Sequence, residues 1–258
     1  MPQSAFLKTA LAAARAGEAV IRKYWQQKVE VELKEDQSPV TVADVETEQA
    51  IKAVIVDAFP EHGFYGEETG KTRPDAEYTW LVDPIDGTKS FVREYPFFST
   101  QIALMKGDEF ILGVSNAPVF GEMAWAERGQ GAFWQGQSAK VSQIMALPEA
   151  TLSIGNIKTL AADPSGWAGL SKIVQQVNRI RGYGDFYHYH LLARGSIDLV
   201  IESDVNILDV AALSVIVQEA GGIFTDLDGN PLNLNTTTVC AGATSALHQT
   251  TLKTLGRG

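Results

Sequence analysis

A chain of 258 residues is long enough to bury a sizeable core, as one large domain or two small ones. Its 31 acidic residues outnumber 21 basic ones, which argues against nucleic acid as the resident partner, although bound metal ions can still let an acidic protein take a small phosphorylated substrate. One cysteine excludes an internal disulfide and no apolar run approaches the roughly 20 residues of a membrane span, so we expect a cytoplasmic protein without a membrane partner.

Helical periodicity opens the chain. Residues 4 to 27 carry apolar side chains at helical spacing, interrupted by charges, which predicts an amphipathic helix rather than a signal peptide. A second helix is predicted over 44 to 59. Between about 78 and 135 the pattern changes to short β-rich runs separated by turn residues, which predicts an antiparallel sheet.

From about residue 151 onwards, strands alternate with helices. Three helices are predicted here, over 165 to 177, 186 to 194 and 209 to 220. Gly221 and Gly222 end the last one. This alternation predicts a second, layered α/β half. We place a boundary near 145, giving an N-terminal α+β half (1–145) and a C-terminal α/β half (146–258) that share one cleft.

Carboxylates occur in four short islands, each at the edge of a predicted element: Asp44, Glu67 with Glu68, Asp83 with Asp86, and Asp209. Taken alone, each island has a purely structural interpretation: a helix cap for the first and last, a solvated loop for the glutamates, and a hairpin turn for Asp86-Gly87. Together, four sets of hard oxygen ligands favour Mg²⁺. His and Cys are missing from all four islands, which argues against zinc.

Two of these carboxylates, Asp83 and Asp86, would repel each other if both were ionised with no cation between them. The run YTWLV predicts a buried strand that ends at Asp83, and strand ends are where open α/β sheets place ligands. A short helix starting at residue 89 or 90 would present the backbone amides of Gly87 and Thr88 to an oxyanion.

Four segments carry a family resemblance: KEDQSPVTVAD (34 to 44), GEE (66 to 68), WLVDPIDGTKSF (80 to 91) and LDVAALSVIVQEAGG (208 to 222). In this order, over nearly the whole chain, they closely resemble the inositol monophosphatase family of Mg²⁺-dependent, lithium-sensitive phosphatases. The resemblance implies an α+β fold, a layered α-β-α-β-α sandwich with metals at the interface of its two halves. It also implies a homodimer.

The resemblance implies a set of metal ligands. Glu67, Asp83 and the carbonyl of Ile85 would bind the first metal. Asp83 would bridge to a second metal, held with Asp86 and Asp209, and a third, weaker Mg²⁺ would bind at Glu67. The cofactor prediction is therefore two or three Mg²⁺ ions in each active site.

The predicted chemistry is hydrolysis of a phosphoric monoester by metal-activated water, since two metals about 3.5 to 4 Å apart can clamp the attacking and leaving oxygens. Thr88, which the family pattern places close to Asp44, would accept or relay the proton of that water. The amides of Gly87 and Thr88 would steady the phosphate. The predicted catalytic residues are Thr88, Asp44 and Glu67.

The alcohol part of the substrate is expected to contact residues 181 to 202, where the wording GYGDF resembles the histidinol-phosphate phosphatase branch. Glu202 matches a substrate-contacting glutamate of the family. Together with Asp185 it would suit the ammonium or imidazole group of L-histidinol phosphate, although Asp185 could instead cap the helix that follows. The four consecutive residues from Tyr187 to His190 cannot all lie on one helix face. Neither His188 nor His190 is predicted as a general base.

The prediction is therefore a Mg²⁺-dependent phosphomonoesterase acting on L-histidinol phosphate. Two alternatives stay open within the same chemistry: inositol 1-phosphate or another small sugar phosphate, and the 3′-phosphate of an adenosine nucleotide. A non-catalytic metal-binding module on the same fold is a third, which the intact acidic set and Thr88 disfavour. Many family members have Trp where this chain has Leu208, which alters the cleft wall and not the ligand.

Overall fold

The computed structural model describes residues 3–27, 31–33 and 39–257, so residues 34 to 38 of the first resemblance segment lie outside it. The helices in these ranges are α1 (Ala5–Tyr24), α2 (Val42–Ala58), α3 (Thr88–Val92), α4 (Lys158–Ala162), α5 (Pro164–Gln176), α6 (Asp185–Ala193), α7 (Ile207–Glu219) and α8 (Ser245–Leu255). None of these helices is long and apolar enough to cross a membrane.

The strands in the same ranges are β1 (Val31–Leu33), β2 (Pro39–Thr41), β3 (Gly63–Gly66), β4 (Gly70–Thr72), β5 (Tyr78–Asp86), β6 (Ser99–Lys106), β7 (Glu109–Ala117), β8 (Glu122–Glu127), β9 (Ala132–Trp134), β10 (Gln137–Ala139), β11 (Thr151–Ile154), β12 (Arg179–Arg181), β13 (Leu199–Ser203), β14 (Ile223–Thr225) and β15 (Thr238–Gly242). They form a hairpin of β1 and β2 and two larger sheets.

The larger sheet has eight strands in the order β10-β9-β8-β7-β6-β5-β3-β4. It contains the predicted antiparallel strands and extends them by β3, β4 and β10. One pair, β3 with β5, runs parallel, with Gly66 opposite Val82. Since parallel strands bring their carboxyl ends to the same edge, Glu67 and Asp83, the next residues along, lie at that edge together.

The smaller sheet has five strands in the order β12-β11-β13-β15-β14. Strand β11 is parallel to both β12 and β13, whereas β15 is antiparallel to β13 and β14. The predicted alternation of strands and helices holds as far as β14. Strand β15 and helices α4 and α8 were not predicted. In α8, three threonines of low helix propensity, at 250, 251 and 254, weaken the helical signal.

Helices and sheets stack in five layers. Helices α1 and α2 pack on one face of the large sheet, α6 and α7 fill the space between the sheets, and α5 and α8 cover the outer face of the small sheet. Along β5, Trp80 and Val82 face α1 and α2, while Leu81 faces the middle layer. The fold is an α-β-α-β-α sandwich of the α+β class, which confirms the expectation from the resemblance.

Two helix starts differ from the prediction, for the same reason. Helix α7 begins two residues before Asp209, with Asn206 as its N-cap, and α2 begins two residues before Asp44, with Thr41 as its N-cap. Both aspartates occupy the third helical position of a capping box and accept the N-cap backbone N–H at 2.8 Å. Each aspartate keeps one carboxylate oxygen outside this capping bond.

The depth of α7 in the middle layer depends on Gly113 of β7. A Cβ atom on Gly113 would lie 2.1 Å from the carbonyl oxygen of Ala212, so any side chain there would push α7 off the sheet. This close approach brings the amino end of α7, with Asp209, down to the edge of the large sheet where Asp83 lies.

Candidate active site

Strand β5 supplies Asp83 and Asp86. The strand was predicted to end at Asp83, but it continues to Asp86, and its register against β6 shifts between these residues: Asp83 pairs with Gln101 and Asp86 with Ser99. Three steps on β5 therefore match two on β6, which is the count of a β-bulge. Residues three apart in a regular strand point to opposite faces, so the extra residue turns both carboxylates toward one cleft.

Gly87 ends the strand and caps α3. Its φ is +91°, and a Cβ atom would lie 2.6 Å from the Phe97 carbonyl oxygen, so both conformation and space require glycine. Helix α3 starts at Thr88, one residue before the predicted start, and Asp86-Gly87 is not a hairpin turn. The Thr88 hydroxyl lies 3.1 Å from both Asp44 Oδ1 and the Ile85 carbonyl oxygen.

Asp44 approaches this turn from α2 and is fully buried. Its Oδ2 accepts hydrogen bonds from the Thr41 N–H and hydroxyl, at 2.8 and 2.7 Å, which leaves Oδ1 facing Thr88. Burial raises the pKa of the Asp44 carboxyl above its ordinary value.

Three carboxylates converge where β5 meets α7. Asp83, Asp86 and Asp209 each offer an oxygen, and these oxygens lie within 4.8 Å of one another. Burial, followed by the charge of Glu67, raises the pKa of Asp83 well above its ordinary value. Burial and the charge of Asp209 do the same to the pKa of Asp86, and burial raises the pKa of Asp209 to about 7. The donor set, all hard oxygen and mutually repelling when ionised, fits a divalent cation.

Glu67 reaches the cleft from the connection between β3 and β4. Its N–H donates to the Val82 carbonyl at 3.1 Å, which extends the β3 and β5 pairing by one bond. Its charge raises the pKa of both Asp83 and Asp209, so its carboxylate belongs to the same electrostatic cluster.

Asp185 and Glu202, both from the C-terminal half, take different positions relative to the cleft. Asp185 is the first residue of α6, with φ +45°, and lines the cleft, while Gly184 occupies the N-cap position. Burial, followed by the charge of Glu202, raises the pKa of Asp185 to about 6. Glu202 lies behind the cleft, only 3% exposed, where it lines a side cavity of about 20 Å³ that Asp185 also lines.

Both oxygens of Glu202 are engaged within the protein. Oε2 accepts the Tyr189 hydroxyl at 2.8 Å and lies 3.1 Å from His188 Nε2, while Oε1 accepts the Asn156 N–H at 3.1 Å. These contacts hold the carboxylate within the protein, and the expectation that Glu202 contacts the substrate stays a prediction.

The two histidines of α6 are buried in separate hydrogen-bond networks. His188 lies between Glu202 and Ser153, whose Oγ is 3.3 Å from Nδ1. His190 Nε2 lies 2.9 Å from Ser115 Oγ, and burial lowers the pKa of its ring. Neither histidine lines the acidic cleft in the part of the chain that the structure describes.

The cleft as a whole has a volume of about 540 Å³. The predicted site residues that line it are Glu67, Asp83, Ile85, Asp86, Gly87, Thr88, Asp185 and Asp209. Asp44 stands behind Thr88, and Glu202 borders the side cavity. The structure therefore brings both halves of the sequence to one acidic cleft.

Residues 3–257 match the model of the inositol monophosphatase family. The chain belongs to this family. It is 38% identical over 235 residues to the histidinol-phosphatase of Mycobacterium tuberculosis, covering 86% of this chain and 88% of that protein. It is 32% identical over 254 residues to inositol monophosphatase 1 of Rattus norvegicus, covering 94% and 91%. The extragenic suppressor protein suhB from Bartonella henselae shares the fold, with a TM-score of 0.89, 30% identity and 99% and 100% coverage.

Family membership identifies the reaction class. This inositol monophosphatase family member is a phosphatase, a phosphoric monoester hydrolase that acts on small phosphorylated substrates. The relatives carry the names of different phosphatases, so membership alone leaves the alcohol part of the substrate open.

One residue at this site was missed by the sequence interpretation. Glu48 is fully buried on α2, and its carboxylate accepts the backbone N–H groups of Glu68 and Thr69 at 2.8 and 2.9 Å. The available signal was an acidic residue at the same helical spacing as Ile51 and Ile55, which marks the buried face of α2.

Proposed function

We propose that this phosphatase hydrolyses L-histidinol phosphate to L-histidinol and phosphate with Mg²⁺ as cofactor. The observation that carries the proposal is the Asp185 carboxylate, which lines the cleft and so offers an anion to a cationic alcohol near the acidic cluster. The 38% identity to a histidinol-phosphatase supports it.

Asp83, Asp86 and Asp209 are the residues that would hold Mg²⁺, with Glu67 and the Ile85 carbonyl completing the set for two or three ions. Carboxylate and carbonyl oxygens are the ligands that Mg²⁺ prefers. When bound, Mg²⁺ supplies Lewis-acid polarisation of the phosphoryl group and a lowered pKa for a water nucleophile.

Thr88 and Asp44 would handle the proton of that water. Because two donors from Thr41 fix Asp44 Oδ2, Asp44 Oδ1 is held in place to accept the Thr88 hydroxyl. A hydroxyl that donates to Asp44 directs its lone pairs elsewhere, and in this cleft they can accept the hydrogen of a water molecule. The pair can therefore relay a proton, while the amides of Gly87 and Thr88 would steady the phosphate.

Asp185 would bind the cationic part of the substrate. L-histidinol phosphate carries an ammonium group and an imidazole, and a charged hydrogen bond to a carboxylate is stronger than one between neutral groups. Glu202 would act from behind, adding negative potential while it holds Tyr189 and His188 in place. Burial and then the charge of Glu202 raise the pKa of the Asp185 carboxyl, and a cation bound there would offset the repulsion from Glu202.

Inositol 1-phosphate is the second candidate substrate, and the 32% identity to inositol monophosphatase 1 over 94% of the chain supports it. Its hydroxyl groups could also hydrogen-bond to Asp185, but they carry no charge to pair with it. The two substrates therefore differ in how much they depend on a carboxylate at position 185.

A substrate panel tests the proposal. Phosphate release by the purified protein, with Mg²⁺ and with a chelator, is compared on histidinol phosphate, inositol 1-phosphate, glycerol 2-phosphate and adenosine 3′,5′-bisphosphate. We expect the highest kcat/KM on histidinol phosphate and no turnover with the chelator. Rapid turnover of inositol 1-phosphate with none of histidinol phosphate would contradict the substrate assignment but not the assignment as a phosphatase.

A further inference from the structure

Glu48 binds the connection that carries Glu67. Residues 67–69 link β3 to β4, and the two donors to the Glu48 carboxylate are the backbone N–H groups of Glu68, at 2.8 Å from Oε2, and Thr69, at 2.9 Å from Oε1. Each carboxylate oxygen therefore takes one backbone amide. Glu48 bridges two consecutive amides of the connection immediately after Glu67.

Gly66 gives the Glu48 carboxylate its space. A Cβ atom on Gly66 would lie 2.4 Å from both Cδ and Oε2 of Glu48, so any side chain at position 66 would displace the carboxylate. Glu67 is thus fixed from two directions. Its own N–H is bonded to Val82 of β5, and the two amides that follow it are bonded to Glu48.

The choice of a carboxylate at position 48 is informative because burying it is costly. A fully buried carboxylate loses its hydration, and a neutral side chain of the same size would lose much less. Glutamine, however, presents one acceptor and one NH₂ donor, whereas the two backbone amides both require acceptors. The carboxylate of a glutamate at position 48 supplies two acceptor oxygens, one for each backbone amide.

We propose that Glu48 is a positioning residue: by binding the amides of Glu68 and Thr69, it holds the Glu67 carboxylate against the Asp83 cluster and so sets the affinity of that cluster for divalent cations. This inference rests on the proposed metal site. Lys52, one turn further along α2, donates to the Thr69 hydroxyl of the same connection at 3.0 Å. The connection therefore keeps one hydrogen bond to α2 when Glu48 is changed.

Glu48→Gln tests the proposal with the smallest change of volume. It leaves one backbone amide facing an NH₂ group, so the connection and Glu67 should shift. The matched control is Glu46→Gln, the same substitution two residues earlier on α2, where the side chain is 41% exposed and paired with Lys23. Calorimetric titration of the metal-free proteins with Mg²⁺ and Mn²⁺ should show binding weakened about 10- to 100-fold by Glu48→Gln, the range for groups that orient metal ligands. The control should bind like the unmodified protein.

A double-mutant cycle separates positioning through Glu67 from general damage. If Glu48 acts through Glu67, then Glu48→Gln should weaken cation binding far less when Glu67→Gln is already present. If the losses of cation affinity in Glu48→Gln and Glu67→Gln are additive, or if Glu48→Gln binds cations normally, this inference is wrong and the proposed cofactor is unaffected. Gly66→Ala, which displaces the carboxylate while leaving both glutamates intact, should also weaken binding, and it serves if Glu48→Gln does not fold. An unmodified protein that binds neither cation would overturn the proposed cofactor, and this inference with it.

Discussion

The Thr88 hydroxyl lies 3.1 Å from Oδ1 of Asp44, a contact across 44 residues of sequence. It joins the first turns of α2 and α3, and the other Asp44 oxygen is fixed by two hydrogen bonds from Thr41. A carboxylate held this firmly orients the hydroxyl it accepts. Thr88 lines the acidic cleft, and the proposed relay requires its one hydroxyl hydrogen to point to Asp44 rather than to the Ile85 carbonyl, which lies at the same distance.

Thr88→Ala should lower kcat by about 10² to 10⁴, because it removes proton transfer and positioning together. Mg²⁺ affinity should change much less, since the hydroxyl is not among the proposed ligands. Steady-state kinetics and calorimetric Mg²⁺ titration check the two halves of this prediction. Thr88→Ser keeps the hydroxyl and should retain most of the activity. If Mg²⁺ affinity and kcat fall together in Thr88→Ala, Thr88 acts mainly as a metal ligand.

Asp86→Asn should abolish turnover while the protein stays folded. The amide keeps the volume but removes one charge from the cluster, so cation binding weakens. In metal-free buffer the same change relieves repulsion with Asp209, so the melting temperature should stay equal or rise. Thermal unfolding with a chelator and phosphate release with Mg²⁺ measure the two effects. The matched control is Asp108→Asn at an exposed turn, and near-normal turnover in Asp86→Asn would contradict the shared-metal interpretation.

Local sequence patterns were sufficient for most helices and strands and for the family, but not for pairings between distant segments. The parallel pairing of β3 with β5 places Glu67 beside Asp83, and nothing in either strand's periodicity names its partner. The same holds for Glu48, whose function depends on amides 20 and 21 residues away. Sequence periodicity indicates that a residue is buried but does not identify the groups that it contacts.

Helix capping explains the shifted helix starts, and hydrogen bonding at Glu202 is a second feature that sequence patterns do not show. Thr41 and Asn206 belong, like the aspartates three residues later, to the residue types that N-cap helices, so composition alone could not place the helix starts. Glu202 was recognised from its position relative to Asp209, which says nothing about the Tyr189, His188 and Asn156 groups that occupy its oxygens. The division into halves at residue 145 stays a prediction.

The metal-free protein should lose stability as pH rises from about 5 to about 7. The folded-state pKa of Asp209 is about 7, against 3.8 ordinarily, so between these values the folded protein binds a proton that the unfolded chain does not. The stabilisation is therefore present at low pH and lost as pH rises through about 7. Glu202, whose pKa is lowered by its partners against the effect of burial, stays ionised across this window. Its contribution is therefore constant there.

Thermal unfolding with a chelator at several pH values measures this slope. A difference of about 1 kcal/mol corresponds to roughly 2–4 °C in a chain of this size, so the fall should be resolvable. Asp209→Asn removes one titrating group and should reduce the slope, to which Asp185, with a pKa of about 6, also contributes. Saturating Mg²⁺ should reverse it, since the cation binds the ionised carboxylates. A metal-free protein that becomes more stable between pH 5 and pH 7 would contradict the prediction.

Asp185→Asn should weaken histidinol phosphate selectively. Losing a hydrogen bond to a charged group costs about 1.5 to 3 kcal/mol, so kcat/KM on histidinol phosphate should fall about 10- to 150-fold. Glycerol 2-phosphate has no cation to pair with Asp185 and should lose much less. The ratio of the two losses, measured on the same preparation, cancels any general damage to the site.

Glu202→Gln is the comparison that separates contact with substrate from support of the site. Both Glu202 oxygens are occupied by protein donors, so its substitution should reduce thermal stability and lower turnover of the two esters by similar factors. Asp185→Asn should instead change their ratio with little change in stability, because Asp185 lines the open cleft. Equal losses on both esters in Asp185→Asn would mean that Asp185 supports the metal centre, and a ratio that changes only in Glu202→Gln would move the cation site to the side cavity behind it.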